Sequence, residues 1–459
     1  MTKCSLRAPV ALVAMSLSLA CLTGCPTPAD RQDAGQDRSA VAGGDPGKPD
    51  GDLVQADEGG VAAAPKKAAA VATAKPDDVA AAKALLDELG PGASYTLLPG
   101  DVMTAVVVAD GSTLPADRIA LFGKLADLEK LQIYNFRDLN DQMVSQLAGL
   151  KNLSTLALTN SVIGDPAVET IVQSFPKLTD LDLSSNTNLT NGVLKVICQL
   201  EGIERLTLVQ NRFNDLGTSH LSKLTNLRVL DLRGNMEAGD MTMEVLGGLP
   251  ALQTLKHRAT TVTDFGMEYL AKSKTLDSLL MQDFAVTSQA GQSLANLEKL
   301  AQLEIFRCQG FGSEGVVALK GKKLDRLMLR DLPMIDDQAM DVLTDLPELK
   351  RLSLHELASI SDEGLKNLQA VKSLEVLDVW EVPQMTDATV DVIATLPNLK
   401  DLSIRATGVT DAAVDKLLAM PKLQSLTFKE NGSVTAEAIK KLSGKKWGKL
   451  EVDGAKGGE

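Results

Sequence analysis

One feature constrains this chain more than any other: a motif of apolar, two others, apolar, one other, apolar that recurs in register along most of its length. It starts at Met103, Leu128, Leu153, Leu178, Ile203, Leu227, Leu252, Leu276, Leu300, Leu324, Leu349, Leu374, Leu399 and Leu423, in steps of 24 or 25 residues. The second anchor is leucine in every copy from Leu131 to Leu426, with Val106 heading the column, and the third is apolar everywhere except at His257. A unit this short cannot bury its apolar face alone, so successive copies must stack and share one continuous core. The 459 residues would otherwise suggest about three compact domains, and the repetition removes that expectation.

Within each unit the alternating anchors that close the motif, such as Leu402 and Ile404, predict a short strand with one buried face. A helix start follows 11 or 12 residues after the first anchor, at Thr263-Asp264, Ser361-Asp362, Thr386-Asp387 and Thr410-Asp411. Each pair offers a hydroxyl for the N-cap and an acid for the first turn, where the helix dipole favours it. Met267 and Leu270, or Leu365 and Leu368, then fall at helical spacing, and Gly217, Gly266 and Gly364 stand where neighbouring turns must approach closely. Prolines such as Pro250, Pro347 and Pro397 close the unit before the next strand.

These motifs resemble leucine-rich repeats, in particular the cysteine-containing and related bacterial classes. The resemblance implies an α/β solenoid of horseshoe form, with a parallel sheet on its concave face and helices on its convex face. The repeats are assigned to residues 103–446, an N-terminal cap to 77–102, and a C-terminal cap and tail to 447–459. Asp77 to Leu89 reads as a helix of the first cap, and Trp447 with Leu450 closes the second. The residue after the strand, often Asn or Cys in the family, is Asn186, Asn211, Asn235, Asn431 or Cys308 in some copies but Phe136, Leu332, Leu357 and Val382 in others.

The N-terminus reads as an address. Lys3 and Arg7 precede an apolar run from Ala8 to Leu22 that is too short to span a bilayer. Leu22-Thr23-Gly24-Cys25 resembles the lipoprotein box of bacterial signal peptides, whereas the rival Cys21 has Ser18 where the box wants an aliphatic residue. The resemblance implies removal of residues 1–24 and acylation of Cys25 with palmitate-type chains, giving a membrane anchor; Pro26 favours the outer membrane if the cell is Gram-negative. Residues 25–76, rich in Ala, Gly, Pro and Asp, are expected to be a disordered linker. Cys198 and Cys308 lie four repeats apart, so no disulfide is expected.

Composition narrows the chemistry. The 47 basic and 60 acidic residues give a net charge of −13, which argues against a nucleic-acid partner. No phosphate-binding loop, HExxH zinc motif or GxSxG nucleophile turn is present, so neither catalysis nor a cofactor or metal is expected. His257 occupies an inward column between Leu232 and Met281 and reads as a hydrogen-bonded core residue. Lys440, Lys441, Lys445, Lys446 and Lys449 read as a solvated cap near a helix C-terminus.

A binding surface is suggested by the strand residues that point away from the core. Counted from the first anchor, position seven reads Arg233, Arg258, Gln282, Phe306, Arg330, His355, Trp380, Arg405 and Lys429. Position five adds Leu280 and Met328, and position eight supplies acids from Asp283 to Glu430. Exposed Trp and Arg are the residue types that most often dominate interfaces. Arg258, Leu280, Phe306, Met328, Arg330, His355, Trp380 and Arg405 are therefore the candidate partner-binding residues. The alternative is a solvated sheet whose arginines pair with adjacent acids.

The expected function is that of a non-enzymatic, lipid-anchored module that binds an unknown protein or peptide at the bacterial cell envelope, as a monomer. A structural or adhesive envelope component is the second reading. A third, carried by resemblance alone, is a substrate receptor like those of eukaryotic F-box ubiquitin ligases.

Overall fold

A computed structural model describes residues 73–453. The signal run, Cys25 and the linker as far as residue 72 lie outside the described residues. The sheet has 16 strands in strict chain order. From the strand Val102–Val108 onward every pairing is parallel, and Leu279, Leu303, Leu327, Leu352 and Leu377 stand directly opposite one another. These leucines, and the first and third anchors around them, are essentially inaccessible to solvent. Each such side chain contributes about 1.5–3 kcal/mol of burial, so the recurring motif supplies a core that grows by one layer per repeat. On the core side each strand is backed by a helix or 3-10 segment, such as Asp264–Leu270, Asp337–Asp345 and Asp411–Ala419.

Both ends differ from the sequence reading. A helix spans Pro76–Leu89, but an unanticipated strand, Ala93–Leu98, then pairs antiparallel with Val102–Val108. Its residues are only half-buried or exposed, so no apolar stripe announces it. The repeats also continue past residue 446: Lys449–Val452 pairs in parallel register with Ser425–Phe428, and Leu450 stands opposite Leu426. Trp447, Leu450 and Val452 repeat the anchor spacing, with tryptophan in the place of the first leucine.

The chain leaves most strands through a left-handed residue at position eight, including Asn135, Ser185, Asp283, Glu356 and Glu381, with φ between 52° and 61°. Asn and Asp tolerate that conformation better than most residues, but Arg307, Ala406 and three glutamates of the column adopt it as well.

The Thr-Asp and Ser-Asp helix starts do more than cap. The Thr386 hydroxyl accepts from the Ala388 amide of its own helix, while its amide and hydroxyl donate to the Asp362 carboxylate one repeat back, at 2.9 and 2.6 Å. Asp240, Asp264, Asp337, Asp387 and Asp411 hold the next repeat in the same way. The acid predicted to serve the helix dipole is thus chiefly a clamp between repeats. Gly364 permits the clamp, since a Cβ there would lie 2.6 Å from the Asp337 carboxylate.

Candidate functional site

The open face of the sheet is built by alternation. With anchors four and six turned into the core, positions five and seven face outward, and parallel pairing sets equivalent residues side by side about 4.8 Å apart. Phe306, Arg330, His355, Trp380 and Arg405 are consecutive partners in this register. They form one stack. The Arg330 guanidinium lies 4.5 Å from the Phe306 ring centre and 5.3 Å from that of Trp380. Arg307 covers Phe306 at 4.8 Å and Arg405 covers Trp380 at 5.2 Å, while the His355 ring meets Trp380 edge-on with centres 5.8 Å apart. Leu280 and Met328, at position five, are half-buried and stand on either side of Glu304 in the strand register.

The arginines on this face are paired, whereas exposed Lys256, opposite Leu280, has no ion-pair partner among the described residues. Arg330 bonds Glu356 at 2.8 Å, Arg326 bonds Glu304 at 2.8 Å, and both Arg258 and Arg307 bond Asp283. His355 Nε2 donates to Asp378 at 2.8 Å, and the Arg405 guanidinium lies 3.4 Å from the same carboxylate. Burial works to raise the Asp378 carboxyl, but donors from His355 and Ser403 outweigh it and hold the group below the ordinary carboxylate range. Asp283 is lowered in the same manner, with burial opposed by Arg307 and Arg258. At the far end Lys429 and Lys449 bring Glu451 down to about 2.

All eight sequence-predicted residues lie on this one face, but not all are available. His355 is only 6 % exposed, covered by Trp380 and tied to Asp378, so its role is to hold the tryptophan rather than to meet a partner. Arg258 stands away from the aromatic stack, in the cluster around Asp283. The basic stripe read from position seven is neutralised in place. Sequence reasoning left out Glu304, Arg307, Arg326 and Asp378 and named Glu356 only as a flanking acid; the pairing seen here is the one its alternative reading described, arginines bonded to adjacent acids.

Two recesses lie in the repeats that lead up to the stack. One, of about 820 Å³, is floored by Phe284, Ala285 and Val286 and edged by Met236, Arg258 and Arg307. The other, of about 470 Å³, lies beside Leu280, Glu304 and Arg326. A recess of about 680 Å³ lined by Val434, Ile439 and Val452 sits at the C-terminal end, away from both.

The histidine and cysteines of the interior are buried away from this face. His257 is fully buried, with Nε2 2.8 Å from the Ala238 carbonyl oxygen and Nδ1 3.3 Å from that of Leu232, and burial lowers its pKa. Cys198 and Cys308 are free and buried, their thiols pushed up by burial to about 11 and about 12. Among the described residues no group of three His, Cys, Asp or Glu side chains is placed to hold a metal ion. Sequence reading also missed a ridge on the helix side, where Leu216, Met241 and Phe265 are 59–76 % exposed at equivalent positions of three consecutive repeats. Its signal was an apolar residue directly after the clamp aspartate.

No family model matches the sequence, and no curated protein matches it. Solved structures do match the fold. An internalin from Listeria monocytogenes aligns with a TM-score of 0.51 at 23 % identity, covering 71 % of this chain and 86 % of that one. The fold is a leucine-rich-repeat solenoid. Yeast Rad7, in its complex with Elc1, gives the same TM-score at 19 % identity, covering 82 % of this chain and 88 % of that chain. The likeness is of architecture, so the solenoid's function rests on its own surfaces.

Proposed function

We propose that this leucine-rich-repeat solenoid is a non-enzymatic recognition module that binds a protein or peptide through the open face of its C-terminal half. The observation that carries the reading is the stack of Phe306, Arg330, Trp380 and Arg405. It places half-exposed aromatic rings and guanidinium planes on consecutive strands, held in fixed orientations by Glu356 and Asp378. Rigid aromatic and arginine anchors ringed by satisfied polar groups have the anatomy of an interface hot spot. We propose further that Cys25 is acylated, tethering the module to a bacterial membrane at the cell envelope. No helix of the described residues is long and apolar enough to cross a membrane, and a lipid anchor requires none.

The test is a photo-crosslinking residue in place of Trp380, followed in native cells by identification of what it captures. Replacing Phe306, Arg330 and Trp380 together should abolish capture by a crosslinker set elsewhere on the face, with circular dichroism and melting unchanged. Equal capture by the triple variant would sink the reading. Mass spectrometry of the native protein decides the anchor, since an unmodified Cys25 removes it. A structural or adhesive role is the second reading, supported by the ridge of Leu216, Met241 and Phe265. It expects changes on the open face to be silent and charges placed on the ridge to abolish association.

A further inference from the structure

We infer that the partner of this face places a carboxylate, the side chain of an aspartate or glutamate, in the recess over Leu280, where Lys256 pairs with it. This rests on the proposed binding role and adds the chemistry of the partner.

Lys256 stands on the strand Thr254–Arg258, between Asp231 on one neighbouring strand and Leu280 on the other. Asp231 is not free to take it, because Arg233 Nε and Nη2 hold both carboxylate oxygens at 2.7–3.1 Å and the residue is buried. Leu280 carries no charge, and the next residue in that register, Glu304, is bonded to Arg326 at 2.8 Å. Arg258, two residues further along the same face of the strand, shares the single carboxylate of Asp283 with Arg307. One strand thus presents two cations side by side. Of these, Lys256 is exposed and has no ion-pair or hydrogen-bond partner among the described residues.

The recess of about 470 Å³ gathers this surplus. Arg233, Lys256 and Arg326 reach it from three repeats, and Thr254, Ser278 and Gln302 add polar groups to its wall. The bonds of Arg233 to Asp231 use Nε and Nη2 and leave Nη1 unengaged among the described residues. Two acids also line the recess. Glu304 is engaged by Arg326, while burial and Asp325 raise the Asp277 carboxyl above the ordinary carboxylate range, with Lys299 opposing them, so neither is the counter-ion of Lys256. A carboxylate entering here would satisfy Lys256 without displacing any existing pair, whereas at Arg330 or Arg405 it would compete with Glu356 or Asp378. The strand of Leu280 adjoins that of Phe306, about 4.8 Å away, so one segment of a partner can engage the recess and the stack together.

The experiment uses the full chain and a displayed library of random peptides of about a dozen residues, selected in parallel on the wild type, on Lys256→Glu and on a Phe306→Ala, Trp380→Ala variant, each with unchanged circular dichroism. Peptides selected on the wild type should carry Asp or Glu at a recurrent position, bind Lys256→Glu about tenfold or more weakly, and lose affinity with added salt. Those selected on Lys256→Glu should carry Lys or Arg at that same position. Lys256→Gln, which removes the charge without reversing it, should weaken the wild-type peptides about two- to fivefold, as for a pair that water reaches. Peptides that depend on Phe306 and Trp380 but carry no recurrent acid, or that ignore Lys256→Glu, overturn the inference and leave the binding site standing. Peptides that bind all three proteins equally, or a library that yields no binder of the wild type, overturn the inference and the binding role together.

Discussion

The two halves of the sheet solve the same problem differently. In the N-terminal half the position after the strand is asparagine at 186, 211 and 235. Asn186 donates to the Leu158 and Leu183 carbonyls at 2.8 and 2.9 Å and accepts from Ser161, while Asn211 accepts from the Asn186 amide at 2.9 Å. In the repeats that follow Cys308 that place is taken by Leu332, Leu357 and Val382, all buried, and asparagine returns only at Asn431, which donates to the Ile404 carbonyl and accepts from Thr407. The open face changes alongside. Asp180 and Asp182 are raised above the ordinary carboxylate range, chiefly by burial, with Asp182 further raised by Asp231. Asp283 and Asp378 are lowered by arginine and histidine donors that outweigh their burial. One half therefore spends polar side chains on its interior and leaves acids under-compensated outside. The repeats with Leu332, Leu357 and Val382 pack that place with hydrocarbon and spend polar side chains on orienting an exterior surface. The backbone unit accepts either solution, and the candidate site lies where the exterior arginines are paired.

Exchanging the two interior solutions should break the comparison most severely. Asn211→Leu orphans the Asn186 amide and removes one of the two donors to the Leu183 carbonyl, and Leu357→Asn buries an amide without partners. Each should cost about 3 kcal/mol in urea unfolding. A neutral result at either site would mean that the halves do not differ as described.

The clamp between repeats tests what the halves share. Asp362→Ala removes donors' acceptor at Thr386 and Thr389 and should cost about 1–2 kcal/mol near neutral pH, the figure being discounted for partial exposure. Burial tends to raise the Asp362 carboxyl, but those donors hold it below its unfolded value. Its contribution is therefore present above the unfolded pKa and lost as pH falls through the folded one. The gap between wild type and variant should close below about pH 4.

Asp182→Asn has the opposite sign. The raised carboxyl makes its charged form unfavourable in the folded chain, and Ser184 donates to an oxygen that asparagine retains. Stability near pH 7 should rise by about 0.5–1 kcal/mol, and the gain should vanish in acid as the wild-type group takes up its proton. Asp378→Asn should be destabilising under the same conditions; a gain at both positions would erase the contrast between the faces. The smallest effect is expected at Lys274→Ala, which breaks an exposed pair with Glu298 at 2.9 Å and should change stability by less than about 0.5 kcal/mol.

Much of this was legible in the sequence. The anchors from Met103 to Phe428 are buried where the motif places them, and His257 is the core histidine that its column implied. The open-face columns were readable because a parallel sheet with steps of 24 or 25 residues keeps equivalent residues adjacent. The extra strand Ala93–Leu98 was hidden because its partner is a hairpin neighbour and it has no buried face of its own. The final strand was hidden by Trp447 in a leucine's place. The neutralised stripe was legible only as an alternative, because Arg330 finds its carboxylate 26 residues away, across a repeat boundary.

By itself the sequence determined the repeat, the strand faces and the membership of the core, since alternation and spacing are local properties that add from unit to unit. Only the tertiary structure decided which charges are spent and which surfaces are left over. A guanidinium's partner is set by side-chain reach between neighbouring strands, and by the left-handed residue that aims position eight, neither of which a single repeat encodes.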